Sequence, residues 1–187
     1  MEELGLIKKA KRGDHSAFGV LYDKYVSAIY RFIFVKVSTK ADAEDLTHQV
    51  FLSAWQHMHK YKEKGYPFSS WLYRIARNTV IDFYRTSRQH LDIDSMPEDL
   101  YSDTPSFADA LDNVAQVKLV NAALLKLEED QQNVLIMKLI NEMTNKEISE
   151  ALGKSEGSVR VIQHRALKQL RKNIHGESGN NNTTEEV

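Results

Sequence analysis

The chain has 187 residues, 42% of them hydrophobic and 27% charged, with a formal net charge of −1 and no cysteine. That length holds one domain or two small ones, and a chain without cysteine excludes disulfides, thiolate zinc sites and cysteine nucleophiles together. No apolar run reaches the length of a membrane span, and the acidic start Met1-Glu2-Glu3 lacks a signal-peptide pattern, so the reading is a cytoplasmic protein. Scattered His, Asp and Glu show no metal-ligand spacing, so no metal or cofactor is expected. The near-neutral charge hides segregation. Lys8, Lys9, Lys11 and Arg12 form one basic cluster, Arg74, Arg77, Arg85 and Arg88 a second, and Arg160, Arg165, Lys168, Arg171 and Lys172 a third. The acids gather at Asp42, Glu44 and Asp45 and again from Asp92 to Asp112. Charge that alternates by segment points to different partners for different surfaces.

Helical periodicity predicts four helices before residue 90, over residues 4–12, 16–37, 41–59 and 69–88. The second contains Ile29-Tyr30-Arg31-Phe32-Ile33-Phe34-Val35, which is rich in strand formers. The apolar pattern of Phe18, Leu21, Tyr22 and Tyr25 is helical and runs into it, so helix is the reading. Tyr61 to Pro67 reads as a loop. The fourth helix has apolar residues at helical spacing, with Trp71, Leu72 and Ile75 assigned to a core, and arginine, asparagine and tyrosine between them. Arginine holds phosphate, aromatics stack on unpaired bases and amides read base edges, so that opposite face suits a nucleic-acid strand.

From residue 89 to about 106 the chain is acidic, holds two of its three prolines and lacks a regular period, which reads as an extended linker. Helices resume near residue 107 and are predicted over 114–127 and 130–140. A helix-turn-helix pattern then follows. Thr144 and Glu147 fit a capping box, Gly153 permits a left-handed turn, and Ser155 caps a second helix running to about residue 173. Ile148, Leu152, Val159, Ile162, Ala166 and Leu170 would pack inward, leaving Arg160, Val161, His164, Arg165 and Lys168 on the outer surface, the layout of a recognition helix. The polar, low-complexity tail 176–187 reads as disordered.

Four blocks in this order resemble one family. Residues 6–25, Asp42-Ala43-Glu44-Asp45-Leu46-Thr47-His48-Gln49-Val50-Phe51-Leu52-Ser53-Ala54-Trp55, residues 68–85 and Gly157-Ser158-Val159-Arg160-Val161-Ile162-Gln163-His164-Arg165-Ala166-Leu167 are similar to the extracytoplasmic-function sigma factors, the small promoter-specificity subunits of bacterial RNA polymerase. The resemblance implies an all-α fold of two small helical domains on a flexible linker: a four-helix region 2 over 1–88, a linker over 89–110, a helix-turn-helix region 4 over 111–175 and the tail. It implies a non-catalytic protein that binds core polymerase through the clamp helices of the largest subunit and the flap of the second. Promoter DNA and an anti-sigma factor are the other partners it implies, without membrane insertion. Asp42, Asp45, Leu46, Gln49, Val50 and Trp55 would meet the polymerase. The family usually carries an acidic residue where His48 or Gln49 stands here. Arg74, Arg77, Asn78, Asp82 and Arg85 would meet the −10 element, with Tyr66 and Phe68 either walling a pocket for a flipped base or packing in the core. Ser155, Ser158, Arg160, Val161, His164, Arg165 and Lys168 would read the −35 duplex. A stand-alone helix-turn-helix regulator would explain only the last block.

Overall fold

Helix α1 (Glu3–Ala10) ends at a corner that two residues dictate. Gly13 takes φ 90°, a left-handed conformation that side chains disfavour, and Asp14 caps α2 (His15–Phe34), its carboxylate accepting the Ala17 N–H at 3.0 Å. Thr39 caps α3 (Lys40–His57) in the same way, through the Asp42 N–H at 3.0 Å. A single 3₁₀ turn, Met58–Lys60, follows. After Pro67 comes the long helix α4 (Phe68–His90). The computed structural model describes residues 2–37, 39–62, 67–90 and 119–178, and at 87–90 and 176–178 the backbone alone.

The strand-forming run in α2 is helical because it buries a helical face. Ile29, Phe32 and Ile33 are spaced i, i+3, i+4 and each is 0% exposed. They meet Ala43, Leu46, Val50 and Ala54 of α3 and Leu72, Ala76 and Val80 of α4 in one core. Each such large side chain contributes about 1.5–3 kcal/mol through burial.

The C-terminal unit begins, within the described residues, with helical residues 119–125, designated α5. Helix α6 (Glu129–Leu135) widens into a π-helical turn over Ile136–Ile140, where the Asn141 N–H reaches the Ile136 carbonyl at 3.2 Å. Then come α7 (Asn145–Leu152) and α8 (Glu156–Ser178). The reciprocal capping box is present: the Glu147 N–H donates to Thr144 Oγ1 at 3.2 Å and the Thr144 N–H to Glu147 Oε2 at 2.8 Å. Gly153 turns the chain with φ 66°. The Lys154 ammonium then ties the turn back to the Asp130 carboxylate of α6 at 2.7 Å.

Several helix boundaries differ from expectation by a few residues. The second helix stops at Phe34, α4 runs on to His90, and α8 continues to Ser178, into the stretch expected to be disordered. The rest of the expected linker, 91–110, and residues 179–187 lie outside the described residues. The larger difference is between the two units. Val134, Ile136, Met137, Met143, Ile148, Ala151, Leu152 and Val159 belong to the same buried cluster as the helices of the N-terminal unit, so the two halves share a core. Nothing in a local pattern reports such long-range packing.

Candidate nucleic-acid interface

Along α4 the polar residues fall on one side because the core residues Leu72, Ala76 and Val80 take the other. Ser70, Arg74, Arg77 and Ile81 form a stripe at i, i+4, i+7 and i+11, and Asn78, Asp82 and Arg85 lie beside it. The second group is exposed, and the Arg85 guanidinium pairs with the Asp82 carboxylate at 3.0 Å. In the first group Ser70, Arg74 and Arg77 have partners, although Arg74 and Ile81 remain exposed. Arg74 Nη2 donates to the Glu150 carbonyl at 2.6 Å, Ser70 Oγ to the Glu147 carbonyl at 3.0 Å, and Arg77 Nε to Glu129 Oε1 at 3.0 Å. All three acceptors belong to the C-terminal unit.

Two clefts flank this seam. One is lined by Tyr61, Lys62, Trp71, Arg74 and Glu150. The Glu150 carboxyl is pushed up from the ordinary carboxylate range, first by burial, and its Oε2 has no hydrogen-bond partner. The other cleft is lined by Lys36, Arg77, Ile81, Tyr84, Leu125 and Glu129. Burial of the Lys36 ammonium pulls its pKa down to about 8, against an opposing pull from the Glu129 carboxylate. The Tyr84 hydroxyl donates to the Lys36 carbonyl.

Phe68 is 1% exposed and its ring meets those of Tyr25, Tyr61 and Trp71 at 5.4–5.8 Å, so it is a core residue and not a wall for a base. Tyr66 lies outside the described residues. Trp71 and Ile75 are partly buried against the core and Leu72 is fully within it.

On α8, Val159, Ala166 and Leu170 anchor the helix, and Ile162 packs against the core. Ser155 Oγ accepts the Ser158 N–H at 3.1 Å and shares a 2.9 Å contact with Ser158 Oγ, which fixes the helix start. Arg160, Val161, His164, Arg165 and Lys168 all stand exposed, so the structure places this set on one accessible side. Arg160 Nη2 lies 3.4 Å from Glu156 Oε2, an exposed pair that yields readily to a stronger anion. Val161, half-exposed and apolar, stands among four polar groups.

On α3 the expected polymerase-contacting set divides. Asp45 and Gln49 are exposed, while Asp42 is held at the helix start by the Thr39 hydroxyl at 2.8 Å. Leu46 and Val50 are buried in the core, a correction that follows from helical geometry: they share the face of Ala43 and Ala54. Trp55 is partly buried against His15 and Phe18, at 4.5 and 5.0 Å between ring centroids. The residue missed was Leu52, 58% exposed and in line with Asp45, Gln49 and Gln56. Its spacing from those polar positions is a signal the sequence carried.

Among the described residues no group of His, Asp or Glu is arranged to hold a metal, and no helix is long and apolar enough to cross a membrane.

Comparison with known proteins covers both units. Residues 21–90 match the family Sigma-70 region 2, and residues 118–170 match Sigma-70, region 4. The chain is 33% identical over 163 residues to the ECF RNA polymerase sigma factor SigX of Bacillus subtilis, covering 84% of this chain and 83% of that one. It is 32% identical over 176 residues to the ECF RNA polymerase sigma factor BldN of Streptomyces coelicolor, covering 88% of this chain and 63% of the relative's own length. Its fold is similar to a solved structure of CnrH in complex with the cytosolic domain of CnrY, with a TM-score of 0.70, 23% identity and coverage of 91% and 96%.

Proposed function

The chain belongs to the extracytoplasmic-function group of sigma-70 family sigma factors, the non-catalytic specificity subunits of RNA polymerase, and from that membership we propose how its surfaces divide the work of initiation. The exposed line Asp45, Gln49 and Leu52 on α3 docks on the clamp helices of the polymerase largest subunit. Acidic Asp45 speeds encounter with a basic partner, and burial of Leu52 slows release. The C-terminal unit docks on the flap of the second subunit.

Exposed Arg160, His164 and Arg165 on α8 enter the major groove of the −35 element, with Lys168, Ser155 and Ser158 on phosphate. Arginine with guanine is the commonest specific pair, so the −35 box contains a G. Arg74, Arg77, Asn78 and Arg85 of α4 hold the backbone and edges of the unpaired −10 strand. No nucleotide is hydrolysed by the protein; binding of splayed bases drives the opening. The protein works in the cytoplasm, and an anti-sigma factor restrains it by covering the polymerase-facing and DNA-facing surfaces.

The observation that carries this reading is the single accessible row of Arg160, Val161, His164, Arg165 and Lys168 on a capped helix in a region 4 match. Run-off transcription with purified core polymerase on fragments of the host genome tests it. We expect new start sites sharing two upstream boxes. Arg160→Ala costs about 1–3 kcal/mol at a single −35 position and relaxes specificity there. Duplex binding without association with core polymerase would leave a stand-alone regulator instead.

A further inference from the structure

The cleft that Lys36, α4 and the α5–α6 turn enclose has a volume of about 720 Å³, within the size range of small-molecule sites. Its wall stands out in two ways. Ile81, Tyr84 and Leu125, three of the large apolar side chains left exposed on this protein, gather here with the buried Val80. Single apolar residues on a surface need no explanation, but a cluster of them in a concavity marks a binding site. The second feature is Lys36, a residue only 6% exposed. Among the described residues no oxygen bonds its ammonium, which faces the Phe32 ring at 5.2 Å. The acid in the wall, Glu129, is bonded to Arg77 at 3.0 Å. An ammonium held away from water without a bonded anion is costly, and an anion that reaches it relieves that cost. The wall is also braced: Gln132 Nε2 donates to the carbonyls of Leu125 at 3.1 Å and Leu127 at 2.9 Å, which fixes the α5–α6 turn.

We propose that this cleft binds an amphipathic organic carboxylate, its head group paired with the Lys36 ammonium and its apolar body laid along Val80, Ile81 and Leu125. Such a site goes beyond the sigma-factor reading, which assigns none of these four residues to polymerase or DNA. Charge and shape choose the class. Lys36, Arg77 and Arg85 outnumber Glu129 in the wall, so a cation is repelled. A small inorganic anion would leave the apolar side of the cleft in water, whereas an alkyl chain covers it. The wall draws on α4 of one unit and on α5 and α6 of the other, so an occupied cleft adds to the stability of the folded chain by mass action.

The test uses the full chain and dansyl-labelled undecanoic acid at pH 7, where the Lys36 ammonium is protonated. The dansyl emission is expected to rise and shift to the blue, saturating at one molecule per chain. Unlabelled dodecanoate is expected to displace the label, and dodecylammonium, with the same chain length and the opposite charge, is expected to leave it bound. Lys36→Met removes the ammonium and keeps an apolar stem, and is expected to weaken binding at least tenfold. Leu125→Glu, on the exposed part of the wall, is expected to weaken it similarly through repulsion and lost apolar contact. Thermal unfolding without ligand shows whether each variant folds; if one does not, the other and the dodecylammonium control decide. Dodecanoate is expected to raise the melting temperature of the parent chain and of neither variant. Unchanged affinity in Lys36→Met, equal displacement by dodecylammonium or uptake that does not saturate overturns the site and leaves general apolar adsorption. Absence of binding overturns it as well. Displacement by oligo(dT) as effective as that by dodecanoate gives the cleft to a nucleic-acid strand and overturns the carboxylate.

Discussion

Lys36 brings an ammonium group to a position only 6% exposed, facing the ring of Phe32 at 5.2 Å. Among the described residues no carboxylate bonds to it directly; Glu129 acts on it through space and Arg77 opposes it. With a native pKa of about 8 against an ordinary 10.5, the unfolded chain holds a proton that the native chain has released throughout the window between them. Stability therefore rises with pH across that window and is fully penalised below it. The penalty amounts to about 3 kcal/mol, and the ring contact offsets part of it. Lys36→Met should raise the melting temperature at pH 7, with a gain of about 1–3 kcal/mol, and abolish the rise in stability above pH 8. Thermal unfolding followed from pH 7 to pH 9.5 checks both. Nothing in the run Phe34-Val35-Lys36-Val37 announced this burial, because one lysine in an apolar run is ordinarily a surface residue. Phe68 teaches the same lesson in reverse. An aromatic next to arginines and an aromatic in a core look alike in sequence, and only the neighbouring rings of Tyr25, Tyr61 and Trp71 decide between them.

At the scale of elements, α3 shows how much a helical period reveals. Its faces separate cleanly: Ala43, Leu46, Val50 and Ala54 inward, Asp45, Gln49 and Leu52 outward. Leu46→Ala should destabilise the protein by about 2–5 kcal/mol through loss of burial and a residual cavity. Leu52→Asp should leave the melting temperature within the range of an ordinary surface change, about 0.5 kcal/mol, yet weaken association with core polymerase at least tenfold. Chemical denaturation paired with a core-polymerase pull-down separates the two effects. Equal loss of stability in both variants would place Leu52 in the fold and not at a docking surface. The capping box of Thr144 and Glu147, the turn at Gly153 and the cap at Ser155 were legible because each depends on residues within four positions. The helix ends at Phe34 and Ser178 were less so, since fraying and tertiary contact set them. The π-helical turn at Ile136–Ile140 had no sequence signal, as its extra residue serves packing of Met137 and Ile136 into the core.

For the whole molecule, charge segregation was visible in the sequence, but its outcome was not. The basic residues of α4 were read as a surface for a partner outside the chain; in the structure Arg77 pairs with Glu129 of the other unit, an acid that stood outside the acidic runs noted in the sequence. Domains joined by a tether can be foreseen from composition, whereas a core assembled from both depends on contacts between residues about 75 positions apart, such as Ser70 with Glu147 and Arg74 with Glu150. Because that core is common to both units, calorimetry of the free protein should show one cooperative transition with matching calorimetric and van't Hoff enthalpies. Two resolved transitions would mean the shared core contributes little. The chain's two tryptophans add something to this arrangement. Trp55 rests against His15 and Phe18, away from the C-terminal unit's acceptors, but Trp71 lines the cleft that Glu150 closes. Were α7 to move away, the indole of Trp71 would lose a buried carboxyl and a helix end and gain water. The emission of a Trp55→Phe protein therefore reports on Trp71 alone, a fluorescent gauge of the seam between the two units.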